Sequence, residues 1–401
     1  MHTAANEQPP ESVAGRESAD IVVGVGAGGD ELELLHHAEL VDAQLERAFP
    51  SRSRIVVRLT RRSGRVHAAP VRRAAPTAME ADDELTLLLR VADALAAPAV
   101  ALVSPLARAD DGAWLRNLLG PLLDEGYDVV CPSYARRPFE GAIQSGVALP
   151  LTRALFGVRL FQPIGREVAF SLRAARQLLA DGTWLDEIAR DGPDLWLASP
   201  ALGSGLRPCQ VCLGPRSVRA APPAQPVSAS LAHVLTVLFR GIERHAPEWQ
   251  HVNGSAPIPC FGEKPWIMGG PTPVDPGSLD AFQLAYRELA GVWRAALAPA
   301  TLLALQRTAA APAAKFRLED GVWAHALYDL ALGWHFQAMD RTQLLLSAAP
   351  LYLAWFAGFA RDVAASDPEQ VDARIEALCG EFERSKRYLV ARWRWPDPFA
   401  P

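Results

Sequence analysis

The stretch IVVGVGAGGD, Ile21–Asp30, decides the fold. Its first six residues form a short apolar run that ends in glycines, the pattern of a parallel strand buried on both faces. Glu31–Phe49 follows with apolar residues at Leu34, Leu35, Ala38, Val41, Leu45 and Ala48, which fall on one helical stripe. RIVVRL (Arg54–Leu59) predicts a second strand. Residues 60–80 are rich in Arg, Ala and Pro, carry no period, and read as a loop. Asp82–Ala96 predicts a helix that Asp82 or Asp83 caps, and the pair Asp110-Asp111 reads the same way. AVALVS (Ala99–Ser104), a helix over Trp114–Asp124 and DVVCPS (Asp128–Ser133) continue the alternation. Strands interleaved with helices of this length imply an α/β fold with a Rossmann-like, mostly parallel sheet covered on both faces.

Beyond residue 134 the pattern becomes mixed, and from about 278 it is helical. Leu279–Leu297, Trp323–Met339, Gln343–Val363 and Pro368–Trp393 carry the helical period. The sequence therefore divides into a disordered leader at 1–19, an α/β domain at 20–265 and a helical C-terminal portion at 266–401. Thr342–Ala360 has no charge for 19 residues, close to the roughly 20 that span a bilayer. Pro350 lies inside it and its neighbours are amphipathic, so a buried helix pair is expected and no membrane contact.

Composition sets limits. Of 401 residues, 50% are hydrophobic and 21% charged, enough for a large core and unlike a disordered chain. Forty basic and forty-five acidic residues give a net charge of −5, with no basic excess for a nucleic-acid backbone. Five cysteines are an odd number and too few for a disulfide framework, which fits a reducing, cytoplasmic setting. No apolar secretory segment stands in the first twenty residues.

Several patterns bear on chemistry. Gly24-Val25-Gly26-Ala27-Gly28-Gly29 satisfies G-x-G-x-x-G at the first strand-to-helix turn, where backbone can approach a pyrophosphate. Strand two ends in Arg58-Leu59-Thr60-Arg61-Arg62, without the acidic residue a ribose needs but suited to a 2′-phosphate. A packing turn, a dinucleotide site of an NADP oxidoreductase and another phosphate site all stay open. Cys209-Gln210-Val211-Cys212 sits in a strand-like stretch, so its two thiols face opposite sides of the sheet. His36-His37, His233, His245 and His335 offer no metal spacing. The densest polar cluster is Tyr134, Arg136, Arg137, Glu140, Gln144 and Ser145, followed by Arg153, Gln162, Glu167 and Asp194. Arginine forks at a strand's carboxyl end suit a carboxylate or phosphate.

Those residues carry a resemblance. Tyr134-x-Arg136-Arg137-Pro138-Phe139-Glu140-Gly141, then Leu149-Pro150-Leu151-Thr152-Arg153-Ala154-Leu155-Phe156-Gly157 and Gln162-Pro163-Ile164-Gly165, resemble the bacterial and archaeal glycosyltransferases related to mannosylglycerate synthase. The similarity runs on through Gly192-x-Asp194-Leu195-Trp196, Cys209-Gln210-Val211-x-Leu213-Gly214, Pro257-Ile258-Pro259-x-Phe261-Gly262, Val322-Trp323-Ala324 with Tyr328-Asp329, and Pro350-Leu351-Tyr352-Leu353. It implies a nucleotide-diphospho-sugar transferase fold of the GT-A kind. It also implies sugar transfer from a nucleotide sugar to a small hydroxylated, anionic acceptor, with Mg²⁺ or Mn²⁺ as cofactor. By the same resemblance Arg136, Arg137, Gln144, Ser145 and Gln162 would bind acceptor. Glu167 and Asp194 would stand at the reacting carbon, and Trp184 against a sugar face or in the core; the glycine turn and strand ends, not the family's motifs, offer Gly26, Gly28, Arg58, Arg61 and Ser104 to the nucleotide.

The departures from that family cluster on the donor side. A D-x-D pair should close the third strand, where this chain has Val103-Ser104-Pro105. The metal-binding His after the L-G motif corresponds to Val218 in Arg216-Ser217-Val218-Arg219. A divalent ion without carboxylate or imidazole ligands binds barely better than in water, so no metal cofactor is expected. Metal-dependent transfer would then be lost, leaving a binding protein for a sugar, sugar acid or nucleotide sugar. The alternative is a metal-independent transferase in which Arg58, Arg61 or Arg219 supplies the positive charge. The C-terminal helices offer surface for a homodimer.

Overall fold

The computed structural model describes residues 18–26, 30–71, 79–104, 112–135, 137, 141–163, 165, 167–182, 205–215, 226–262 and 278–395. In chain order the first elements are β1 (Ile21–Val25), α1 (Glu31–Ala48), β2 (Arg54–Arg62), β3 (Arg65–Pro70), β4 (Glu80–Ala81), α2 (Glu84–Ala94), β5 (Ala99–Val103), α3 (Ala113–Leu123) and β6 (Val129–Ala135). A π-helical turn (Gln144–Ala148) leads into α4 (Leu149–Phe156), then β7 (Val158–Arg159), β8 (Val168–Ser171), α5 (Leu172–Ala180) and β9 (Pro208–Pro215). The remainder comprises α6 (Val227–Arg244), α7 (Ala246–Trp249), β10 (Ala256–Pro257), β11 (Cys260–Phe261), α8 (Ser278–Glu288), α9 (Ala290–Ala296) and α10 (Pro299–Ala309). It ends with α11 (Asp320–His335), α12 (Arg341–Leu346), α13 (Ala348–Val363) and α14 (Pro368–Arg394).

Two compact units result. The first joins Met1–Tyr134, Ile164–Ala220 and Ile258–Lys264; the second joins Ala135–Pro163, Ala221–Pro257 and Pro265–Pro401. No single cut separates them, because 135–163 and 221–257 count with the C-terminal helices.

The first unit is α/β. Its sheet has the order β11-β9-β6-β8-β5-β1-β2-β3-β4. β1 runs parallel to both β2 and β5, and β8 runs antiparallel between β5 and β6. All five residues of β1 and of β5 are buried, as their unbroken apolar runs require of strands covered on both faces. α1 starts at Asp30, whose side chain accepts the Leu32 amide. Its stripe of Leu34, Ala38, Val41 and Leu45 packs with Leu115, Leu118 and Leu119 of α3 over Val23, Val25 and Val103. Burying one such leucine contributes about 1.5–3 kcal/mol. α2 covers the opposite face, where Gly24 leaves just enough room for Leu59 and Leu88. Asp83 caps α2 by accepting the Thr86 amide at 2.8 Å, as a helix-start carboxylate should.

One expectation fails here. Residues 60–80 do not form a plain loop: β2 continues to Arg62, turns at Ser63 and Gly64, and returns as β3 antiparallel to it. Ser63 and Gly64 have φ of 51° and 84°, the two left-handed positions of a tight hairpin turn.

The second unit is helical. Trp323 of α11 stacks on Trp355 of α13 with centroids 6.0 Å apart. Asp329, with no solvent exposure, accepts bonds from the Ala298 amide, Thr301, Tyr388 and Arg392; so many donors compensate its burial. The expected single helix at Leu279–Leu297 is α8 and α9, divided at Leu289. Among the described residues one stretch, Arg341–Val363, is long and apolar enough to cross a membrane, and 67% of its most apolar window is buried. It is the helix pair α12 and α13, with Leu344, Leu351, Trp355 and Phe359 in the core.

Candidate functional site

The order β5-β1-β2 places a topological switch point at β1, because the chain leaves that strand toward one side and later returns on the other. In open α/β sheets the crevice beyond the carboxyl ends of such strands is where ligands bind. Four sequence-derived positions meet there. Gly26 follows β1, and its amide donates to the Val103 carbonyl at 3.0 Å. Arg58 lies in register with Val25, and Val25 with Val103. Ser104 follows β5. Glu167 precedes β8, whose Val168 pairs with Leu102.

The electrostatics of this crevice are mixed. Glu167 is 4% exposed, and its Oε1 accepts the Ser104 amide at 3.2 Å. Arg58 is half-buried; its Nε is shielded from water and meets no hydrogen-bond partner among the described residues. Alternation along β2 sets Arg58 on the face of α1, since Val56, two residues before it, belongs to that core. A shielded guanidinium nitrogen without an acceptor costs about 1–3 kcal/mol, which a bound anion would recover. Glu84, at the start of α2, is the member that sequence reading missed. A Cβ built on Gly26 would stand 2.7 Å from its Oε2, so a larger residue there would displace the Glu84 carboxylate. The only sequence signal for Glu84 is its place in the first turn of a capped helix. Burial holds the neighbouring Asp83 carboxyl above its ordinary range, against the pull of Thr86.

Arg61 stands apart from this group. Its Nη1 donates to the Gly64 and Asp82 carbonyls, so it braces the hairpin. Of the glycine-rich turn, Gly28 lies outside the described residues. The helix that follows begins with Asp30, Glu31 and Glu33, and Glu31 pairs with Arg62 at 2.8 Å. Carboxylates at a helix N-terminus oppose a pyrophosphate there, which weighs against the dinucleotide reading.

Mg²⁺ takes six oxygen ligands, of which a protein commonly supplies one or two carboxylates while waters and substrate phosphates complete the set. Near the end of β5 the described residues supply the Ser104 hydroxyl, the Glu167 carboxylate and, beside Gly26, the Glu84 carboxylate. Among the described residues no three His, Cys, Asp or Glu side chains gather into a metal-holding group. The strand end itself reads Val103-Ser104-Pro105 and holds no D-x-D pair.

The described acceptor candidates belong to the second unit. Gln144, on the π-turn, and Gln162 are both buried. Gln144 Nε2 donates to the Phe161 carbonyl at 3.4 Å, which brings the two glutamines together. The Ser145 amide donates to the Gly141 carbonyl, and Arg137 is exposed. Arg153, from the same run of motifs, is 5% exposed. Its guanidinium forks onto Glu376 and reaches Glu383 and Ser255, an internal tie. Arg136, Trp184, Asp194, Val218 and Arg219 lie outside the described residues.

No family model matches the chain, and no curated protein does. Solved structures do. Glucosyl-3-phosphoglycerate synthase from Mycobacterium tuberculosis in complex with Mn²⁺, UDP-glucose and phosphoglyceric acid is 20% identical, with a TM-score of 0.35 over 61% of this chain and 86% of that one. The same enzyme with Mn²⁺, UDP and phosphoglyceric acid is 22% identical, with a TM-score of 0.35 over 58% and 80%. With Mg²⁺ and UDP it is 20% identical, with a TM-score of 0.33 over 58% and 80%.

Proposed function

We propose that this chain binds a nucleotide sugar beyond the carboxyl ends of β1, β2 and β5 and has lost metal-dependent glycosyl transfer. Support for the loss comes from one observation. Where the resembled family carries its metal-binding carboxylates, this chain has Ser104, with its amide bonded to the buried Glu167. The ancestral reaction moves a sugar from a nucleotide diphosphate to a small hydroxylated, anionic acceptor. In this reading Arg136 and Arg137 hold acceptor charge, Gln144, Ser145 and Gln162 hold its hydroxyls, and Glu167 and Asp194 stand at the reacting carbon. Gly26, Gly28, Arg58 and Ser104 contact the nucleotide.

A second reading, transfer without metal, draws on Arg58. A departing diphosphate gathers negative charge, and a cation in a water-poor crevice lowers the barrier to its leaving. Among the described residues Arg58 keeps a shielded Nε without an acceptor at that strand end, which supports this role for it.

A thermal-shift panel separates these readings: UDP-glucose, a guanosine diphosphate sugar, NADP and phosphoglycerate, each with Mn²⁺ or with chelator. Binding without metal gives a nucleotide-sugar shift that chelator leaves unchanged and that Arg58→Met abolishes. A ligand at about 100 times its dissociation constant adds about 2.7 kcal/mol, a shift of several degrees. A shift that appears only with Mn²⁺ or Mg²⁺ overturns the proposal, and protection by NADP alone replaces it with the oxidoreductase. Product formed in chelator assigns the metal-independent transferase.

A further inference from the structure

The edge of the first unit's sheet carries a thiol pair that the C-x-x-C spacing conceals. β9 holds Cys209 and Cys212, and the two-residue strand β11 holds Cys260. β11 is parallel to β9, with Cys260 opposite Gln210 and Phe261 opposite Val211. Cys209, Val211 and Leu213 share the core under α1 and α3. By alternation Gln210 and Cys212 face the other side, and Cys260, in register with Gln210, faces that side with them. The Sγ atoms of Cys212 and Cys260 are 3.9 Å apart, whereas Cys209 and Cys212 point away from each other. All five cysteines are thiols. Cys260 is exposed and Cys212 is 6% exposed, so one sulfur meets an oxidant in water while its neighbour waits beneath.

We infer that Cys212 and Cys260 form a reversible disulfide on exposure to a peroxide, tying the edge strand β11 covalently to β9. The Cys260 thiolate attacks one peroxide oxygen; an S–O bond forms, the O–O bond breaks, and hydroxide leaves to become water. The Cys212 sulfur then attacks the Cys260 sulfenic acid. The S–S bond forms, the S–O bond breaks, and hydroxide leaves with the Cys212 proton as a second water. Two thiols lose two electrons and two protons, and the peroxide gains them. Closure from 3.9 Å to a bond of about 2.05 Å asks for side-chain rotation and a small shift of β11. Among the described residues that strand pairs on one side only, and it is two residues long. Gly262 ends it at a φ of +81° and lies against Cys212, where an added Cβ would come within 3.2 Å of the Cys212 carbonyl. The site would answer to oxidants whatever ligand the crevice binds.

The test uses the full chain, reduced, desalted, exposed to hydrogen peroxide, blocked with N-ethylmaleimide and mapped by mass spectrometry. Peptides bearing Cys212 and Cys260 are expected as one cross-linked species, two hydrogens lighter than the pair and separated by dithiothreitol. Cys131, Cys209 and Cys379 are expected as thiols, alkylated once the protein is denatured. Cys260→Ser is expected to fold like the parent by circular dichroism and to yield no cross-link. Alkylation of both Cys212 and Cys260 after peroxide would overturn the inference. So would a Cys209–Cys212 link, or Cys260 carried to sulfinic or sulfonic acid beside an intact Cys212 thiol.

Discussion

The Ser104 backbone N–H donates to the carboxylate of Glu167 across 3.2 Å, joining the end of β5 to the start of β8. The carboxylate is almost wholly out of water, so the bond is a structural element of the strand end and not a surface contact. Glu167→Leu deletes the acceptor and leaves a part-buried amide unsatisfied. It is expected to lower stability by about 1–3 kcal/mol, read as a lower urea midpoint at unchanged slope. Glu167→Gln keeps a carbonyl oxygen for the same amide and is expected to lose less. Equal losses in the two variants would mean that the amide is satisfied in some other way.

Arg153 supplies a second case. It belongs to the Leu149–Gly157 run that resembles the glycosyltransferases, yet in the second unit it bonds Glu376, Glu383 and Ser255 of its own chain. Arg153→Met leaves the Glu376 and Glu383 carboxylates, two turns apart on α14, without the guanidinium that bonds both. The expected cost is about 2–4 kcal/mol, below that of a fully buried pair because Glu376 reaches solvent. Arg153→Lys is expected to recover only part of this, since an ammonium lacks the planar fork that grips both oxygens of one carboxylate while reaching a second. Chemical denaturation of the three proteins checks the order, and a lysine variant as stable as the parent would contradict it.

Gly146 tests packing in the same unit. A Cβ there would collide with the Trp355 ring, and the Gly146 carbonyl accepts Trp323 Nε1 at 2.8 Å. Gly146→Ala must therefore push two stacked tryptophans. The expected loss is about 1–3 kcal/mol, with a changed near-ultraviolet dichroism or tryptophan fluorescence from the disturbed pair. Unchanged aromatic spectra would show that the backbone yields instead.

How far the residues alone lead depends on what each pattern reports. Ile21–Val25 and Ala99–Val103 were legible because a strand covered on both faces must be apolar throughout, and both are. The β2–β3 hairpin was not, because its Arg and Ala residues face water at many positions and dilute the alternation. The local signal was Ser63-Gly64, a two-residue turn that needs left-handed backbone at both positions. The break at Leu289 was hidden because apolar spacing runs on through it while the backbone leaves the helix. Gly26 and Ser104 could be placed as strand ends from their neighbours. Glu84 could not, because its approach to Gly26 depends on how α2 lies across the sheet, which no local pattern encodes.

Lys386 makes the last prediction, on pH. Its side chain is 6% exposed, its Nζ donates to the Val252 carbonyl at 2.7 Å, and the Trp249 ring lies 6.0 Å away. Burial pushes the ammonium down from its ordinary 10.5 to about 8, and Glu383 only partly opposes this. Between those two pH values the unfolded chain holds a proton that the folded chain has released. Stability therefore rises with pH through that window, and below it the folded protein carries the full burden of a buried charge. Lys386→Met keeps the unbranched stem up to the ε position and cannot titrate. In urea unfolding from pH 7 to pH 10, the parent is expected to gain on this variant as pH rises, with the gap flat below about pH 7.5. Parallel curves over the whole range would show that the amine is charged and adequately solvated in the folded state.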